Sequence, residues 1–322
     1  MANQSSQTGR TFTRHVAPFA PLALALAINT LPVSQTTSSA GAPSGGIVAA
    51  KCSDVTDSQD CHSRYPTGCS AAAGYDAYLN YWKDRLIAPT PAANPVKYFT
   101  QLQDYQGLDA KIPAGLTQNN QANYQDQLKQ LGEGQLYGVI GYLYYAQHTG
   151  AESSNCDLTG PTGDPDFSNV DYHIGIGFVP PAGAAPAQED TANAAVREPA
   201  ARRKSPPKRP PTAGTGTSNL QQTSIIVEMT PHDRFQYEHE IWTLANLQKA
   251  VGKQVKVVGQ LIIDNEHNLP SQNCATASTA SQRQTCWRAS VWELHPVVTF
   301  QVCPSASCAQ DSTDWVELDQ LQ

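Results

Sequence analysis

From Gly134 onward the apolar positions recur at every second residue, whereas before it they recur at every third or fourth. Leu136 to Ala146 (LYGVIGYLYYA), Asp171 to Val179 (DYHIGIGFV) and Ser224 to Met229 (SIIVEM) are rich in aromatic and β-branched residues and predict strands. Gln254 to Asp264 (QVKVVGQLIID) and Ala289 to Val302 (ASVWELHPVVTFQV) predict two more, with Pro296 implying a bulge or an edge in the last. Between the third and fourth runs, Thr230 can cap a helix, Pro231 suits its first turn, and Asp233 stands three residues after the cap. Ile241, Trp242, Leu244, Ala245 and Val251 would form its buried side, and Gly252 its stop. This order predicts a mainly β fold with helical additions, a five-stranded OB-like Greek-key barrel (β-β-β-α-β-β) sealed below by one helix. Runs one and four share Val-x-Gly-x-Leu (Val139/Gly141/Leu143 and Val257/Gly259/Leu261), placing a glycine mid-strand where a small barrel must bend. A two-sheet sandwich is the competing arrangement, for which five strands are few.

The segment before Gly134 carries helical spacing. Tyr75, Tyr78, Leu79, Trp82 and Leu86 mark an amphipathic helix ended by Pro89. Residues 117–131 predict another, with Tyr124, Leu128 and Leu131 on one face. Residues 1–42 hold Arg10, Arg14 and His15, an apolar stretch from Val16 to Leu31, and the small-residue pattern Ala40-Gly41-Ala42, with no acidic residue before Asp54. That order predicts a cleaved secretory signal, a periplasmic or extracellular location, and no transmembrane segment once the signal is removed; an uncleaved anchor is the alternative. The predicted organisation is therefore a signal at 1–42, a Cys-containing helical extension at 43–133, the barrel at 134–308 and a tail at 309–322. Residues 181–222 interrupt the barrel as an Ala/Pro/Gly-rich basic insert, without hydrophobic periodicity and expected to be disordered.

Composition sharpens this picture in two places. The eight cysteines fit an oxidising compartment. Cys274 with Cys286 and Cys303 with Cys308 are the simplest local pairs; of Cys52, Cys61, Cys69 and Cys156, one should tie the extension to the loop after the first strand. No CxxC spacing supports a zinc site built from cysteines. Charge bears on the partner: outside residues 1–42 and 181–222, 13 basic residues face 25 acidic ones, a field that disfavours nucleic acid.

Several local patterns resemble a group of exported bacterial proteins with an OB-like barrel. They are Leu79-Asn80 with Lys83-Asp84-Arg85, Gly141-Tyr142-Leu143 with Glu152-Ser153-Ser154-Asn155-Cys156, Asp171-Tyr172-His173-Ile174, Asp264-Asn265-Glu266-His267, and Arg288 with Trp292-Glu293-Leu294-His295-Pro296. The resemblance spans roughly residues 75–302 without the insert and implies a fold rather than an activity or ligand. In that group a cysteine usually stands where this chain has Ser154, so a disulfide role for the loop does not carry over from the group.

The candidate chemistry sits at strand ends. Asp171 with His173, Glu228, Asp264 with Glu266 and His267, and Glu293 with His295 supply imidazole and carboxylate groups. One reading is a metal-dependent hydrolase using His173, Asp264, His267 and His295, with a divalent metal as its cofactor. The plainer reading is that these are hydrogen-bonded turn and strand groups, since no HExxH spacing, phosphate loop or nucleophile elbow occurs. The aromatics Tyr137, Tyr142, Tyr144, Tyr145, Tyr172, Trp287 and Trp292, with Arg288, could form a stacking face of the kind OB-folds use, although alternation should send half of them inward. The sequence thus favours a non-enzymatic exported binding or interaction module for a protein, peptide or carbohydrate, with no cofactor expected. A structural envelope protein is a third reading.

Overall fold

A computed structural model describes residues 52–72, 74–89, 95, 97–159, 169–181, 219–239 and 241–321. The expected signal and most of the insert, 182–218, lie outside the described residues. Seven strands are present among these residues: β1 (Tyr98–Phe99), β2 (Leu136–His148), β3 (Tyr172–Gly177), β4 (Ile225–Met229), β5 (Gln254–Ile263), β6 (Trp292–Val302) and β7 (Val316–Glu317). β2 pairs antiparallel with both β3 and β5, β3 with β4, and β5 with β6, while β4 meets β6 in parallel at Val227 and Leu294. The ring therefore closes as a five-stranded barrel, and the sandwich is excluded. β1 and β7 are short additions on β2 and β6.

The paired glycines mark where the barrel closes. A Cβ on Gly141 would stand 2.5 Å from the Gly177 carbonyl oxygen, and one on Gly259 would stand 2.8 Å from that of Pro296. The backbones come too close there for any side chain. The bulge expected at Pro296 is also present: Gly259 pairs with Val297 but Leu261 pairs with Leu294, so His295 and Pro296 together oppose Gln260. The Gln260 amide donates to the His295 carbonyl at 2.9 Å, satisfying a group of the bulge, and to the Trp82 carbonyl at 2.8 Å, tying the strand to α2.

Helices pack against this ring: α1 (Ser58–Arg64), α2 (Ala77–Lys83), α3 (Leu102–Asp109), α4 (Gln125–Leu131), α5 (Asn219–Gln222), α6 (Pro231–Gln236), α7 (Leu244–Lys249) and α8 (Ala280–Thr285). Tyr78, Leu79 and Trp82 of α2, Phe99, Tyr105 and Leu128 share one apolar core with Val139, Leu143, Ile174, Val227, Leu261 and Phe300 of the barrel. α2 is shorter than its apolar spacing predicts. Asp76 caps it by accepting from the Tyr78 and Leu79 amides, and it stops at Lys83, so Leu86 is left exposed. Residues 117–131 divide into a 3-10 turn (Gln121–Tyr124) and α4.

The single helix expected from Pro231 to Val251 is two helices. Glu238 adopts a left-handed backbone (φ 55°) between α6 and α7, and Thr243 recaps the chain by accepting from the Asn246 amide at 3.2 Å. The break lets Trp242 bury itself, while Ile241, Ala245 and Val251, all expected inside, are exposed. Four disulfides use every cysteine: Cys274–Cys286 and Cys303–Cys308 as expected locally, Cys61–Cys156 tying the extension to the loop after β2, and Cys52–Cys69. The loop around Ser154 is thus stapled through Cys156. Among the described residues no helix is long and apolar enough to cross a membrane.

Candidate functional site

Strand alternation builds the site. Tyr172, Ile174 and Ile176 of β3 and Ile225, Val227 and Met229 of β4 point into the apolar core. Their neighbours Asp171, His173 and Glu228 therefore take the opposite, outward face of the wall. His173 and Glu228 are direct cross-strand partners, and pairing of Val227 with Leu294 brings Glu293 and His295 of β6 alongside. That outward face is covered. Asp171, Glu228, Glu293 and His295 have 0% exposure, as do Asp264 and Arg288 from the β5–β6 connection.

Three segments form the cover. α2 presents Lys83, whose Nζ donates to Glu152 Oε2 at 3.1 Å. The loop carrying Glu152 is fixed by Cys61–Cys156, and Asn155 donates to Asp171 Oδ1 at 3.0 Å. The β5–β6 connection is folded back by Cys274–Cys286, with the Cys274 amide donating to the Arg288 carbonyl at 2.8 Å. This turns the Arg288 guanidinium inward, where Nη1 meets Asp264 Oδ2 at 3.0 Å and Nη2 meets Glu293 Oε2 at 2.5 Å.

The charged groups form a continuous chain around Glu228. Its Oε1 faces His173 Nε2, and its Oε2 lies 3.0 Å from His295 Nδ1. His295 also lies 3.4 Å from Glu293 Oε1 and 3.6 Å from Asp171 Oδ2. His267 Nε2 is 3.6 Å from Asp264, and its ring meets Trp287 edge-on at 4.9 Å, while Trp287 stacks at 6.0 Å on His173. Only the rim reaches solvent: the side chains of His173, Glu152 and His267 are 13%, 21% and 28% exposed, and Trp287 is half-buried.

Burial and charge pull the ionisations apart. Burial would lower Lys83, but the carboxylates of Glu152, Asp264, Glu228 and Glu293 more than offset it and hold the ammonium well above its usual range. The same contest, with Glu228 as chief opponent of burial, raises His173 and raises His295 further. Burial would raise Glu228, yet His173, His295 and Lys83 hold it well below the carboxylate range. Asp171 is pushed up to about 7 by burial and by Glu152. Burial also lowers His267 and raises Glu266 to about 7.

The residues named from sequence are distributed unevenly here. His173 and His295 each fall in a set of three possible metal ligands, Glu152/His173/Glu228 and Asp171/Glu228/His295, which share Glu228. Asp264 and His267 belong to neither set; Asp264 is paired to Arg288. Of the proposed stacking residues, Tyr172, Trp292 and Arg288 have no exposed surface, and Tyr144 is buried with its hydroxyl donating to the Val179 carbonyl at 2.7 Å. Tyr142 and Trp287 remain half-buried. Lys83 and Glu152 are not among the site residues expected from the sequence, although both stand in the local patterns Lys83-Asp84-Arg85 and Glu152-Ser153-Ser154-Asn155-Cys156. No family model, curated protein or solved structure matches this chain.

Proposed function

We propose that this chain is an exported binding module, and that its binding site is the charged recess on the outer wall of β3, β4 and β6 beneath Trp287. The carrying observation is the convergence of five carboxylates (Glu152, Asp171, Glu228, Asp264 and Glu293) with two permanent cations (Lys83 and Arg288) under a rim open only at Glu152, His173, His267 and Trp287. With His173 and His295 raised toward their charged forms and Asp171 toward its neutral one, the charges inside the layer nearly balance; the mouth, where Glu152 and Trp287 are partly open, suits a ligand that brings positive charge and on which the indole can stack. Four disulfides that leave no free cysteine support export to an oxidising compartment. A protein, peptide or carbohydrate partner remains compatible with the acidic surface if it presents an ammonium group.

The test is a thermal-shift screen of the full chain with spermidine, glucosamine and short lysine peptides, all in the presence of a chelator. Binding to the native state raises its melting temperature. At least one probe should raise it for the wild type and not for Trp287→Ala. If every probe leaves it unmoved, or the shift persists in Trp287→Ala, the layer is only a salt-bridged seam holding the cover to the wall.

A further inference from the structure

Resting on the recess being a binding site, we infer that Glu152, His173 and Glu228 form a site for one divalent transition-metal ion of the zinc class. Each residue offers one ligand atom, and the three atoms lie within 4.8 Å of one another. Two carboxylate oxygens and one imidazole nitrogen form a donor set suited to zinc or manganese. Three protein ligands leave a coordination position open, and the partial exposure of Glu152 and His173 puts it on the solvent side, under Trp287.

An independent observation separates this set from an ordinary ion pair. Glu228 is fully buried, and the His173 and His295 rings stand at hydrogen-bonding distance from its two oxygens without the alignment of a full hydrogen bond. A buried carboxylate left in that condition costs free energy unless another partner completes it. The surroundings are also built to aim the ligands. Lys83 holds Glu152 by Oε2, and His295, itself beside Asp171 and Glu293, stands at Glu228 Oε2. Glu152 Oε2 is thus held by Lys83 and Glu228 Oε2 by His295, while Glu228 Oε1 faces His173 Nε2, the contact an ion would enter by displacing the imidazole proton; outer partners orient metal ligands in this way.

The experiment uses the full, oxidised chain, stripped with chelator and equilibrated with zinc or manganese chloride. The expected result is one equivalent bound and, after loading with cobalt(II), a d–d absorption band characteristic of a nitrogen/oxygen site. Glu152→Gln and His173→Gln, both at the partly exposed rim, should each weaken zinc binding by more than the roughly 10- to 100-fold that losing an outer partner costs. Near-UV circular dichroism confirms that the variants are folded, and His239→Gln, remote from the set, should bind as the wild type does. Folded wild type that takes up no metal, or Glu152→Gln and His173→Gln variants that still bind it fully, would overturn the assignment. A chelator-resistant melting shift with an organic cation, without zinc uptake, would refute the metal and leave the recess as a binding site; failure of both refutes both.

Discussion

On β3 and β4, successive residues look into two different buried environments. Tyr172, Ile174, Val227 and Met229 face the apolar interior, while Asp171 and Glu228, equally cut off from water, face the charged layer under the cover. The interior obeys simple volume filling, because dispersion and desolvation are non-directional. The outer layer depends on a particular partner for each charge, since burying an ion is costly and only its counter-ion offsets that cost. Two surfaces of one wall thus share the same exposure and differ in what a substitution there does.

The largest way to break this contrast is to release the cover. Replacing Cys61 and Cys156 together by Ser opens a closure spanning 95 residues and should cost roughly 4–5 kcal/mol in denaturant unfolding. It should also expose Trp287 more than it disturbs the interior tryptophans, which fluorescence quenching can read. Next, Arg288→Ala and Phe300→Ala should cost similar amounts, about 3–5 kcal/mol each, for opposite reasons: one removes the guanidinium that bridges Asp264 and Glu293, the other leaves a cavity. Mild acidification, which protonates those carboxylates, should recover part of the Arg288→Ala loss and none of the Phe300→Ala loss. Equal pH responses would erase the distinction drawn here.

A smaller effect comes from Glu133, which sits in the shell against α2 and receives the Tyr78 hydroxyl at 2.6 Å. Burial, opposed by that hydroxyl, raises it from an ordinary 4.5 to about 7. The folded state then binds its proton more tightly than the unfolded state does. Stability should fall as pH rises from 4.5 through about 7 and level off above, and Glu133→Gln should flatten that part of the profile. The smallest expected effect is Ile174→Val, about 1 kcal/mol in the same assay, because the interior needs only shape and greasiness at that position.

How much of this was legible beforehand differs by element. The five barrel strands, the closing glycines and the bulge at Pro296 followed from period and punctuation, signals that act over a few residues. Thr230 and Pro231 announce a helix start clearly, whereas the second start, at Thr243 with Asn246 three residues on, is equally local but lies inside the apolar spacing that predicts one continuous helix. α8 carries the same kind of mark, with Thr279 and Gln282 forming a complete capping box. His173, Glu228, Glu293 and His295 could be placed on strand faces from spacing alone. Their grouping could not be: alternation tells which residues share a face but says nothing of which strand lies beside which.

What the chain's own pattern determined is the barrel, its inward face and the cysteine pairs that staple its loops. What tertiary structure alone decided is that the outward face is also buried, and that Lys83, Glu152, Glu228 and Arg288, distant along the chain, meet there. The physical reason is that local propensity and alternation depend on neighbours in sequence, whereas this layer forms only after β4 lies against β6 and the Cys61–Cys156 and Cys274–Cys286 bridges hold two loops over the wall.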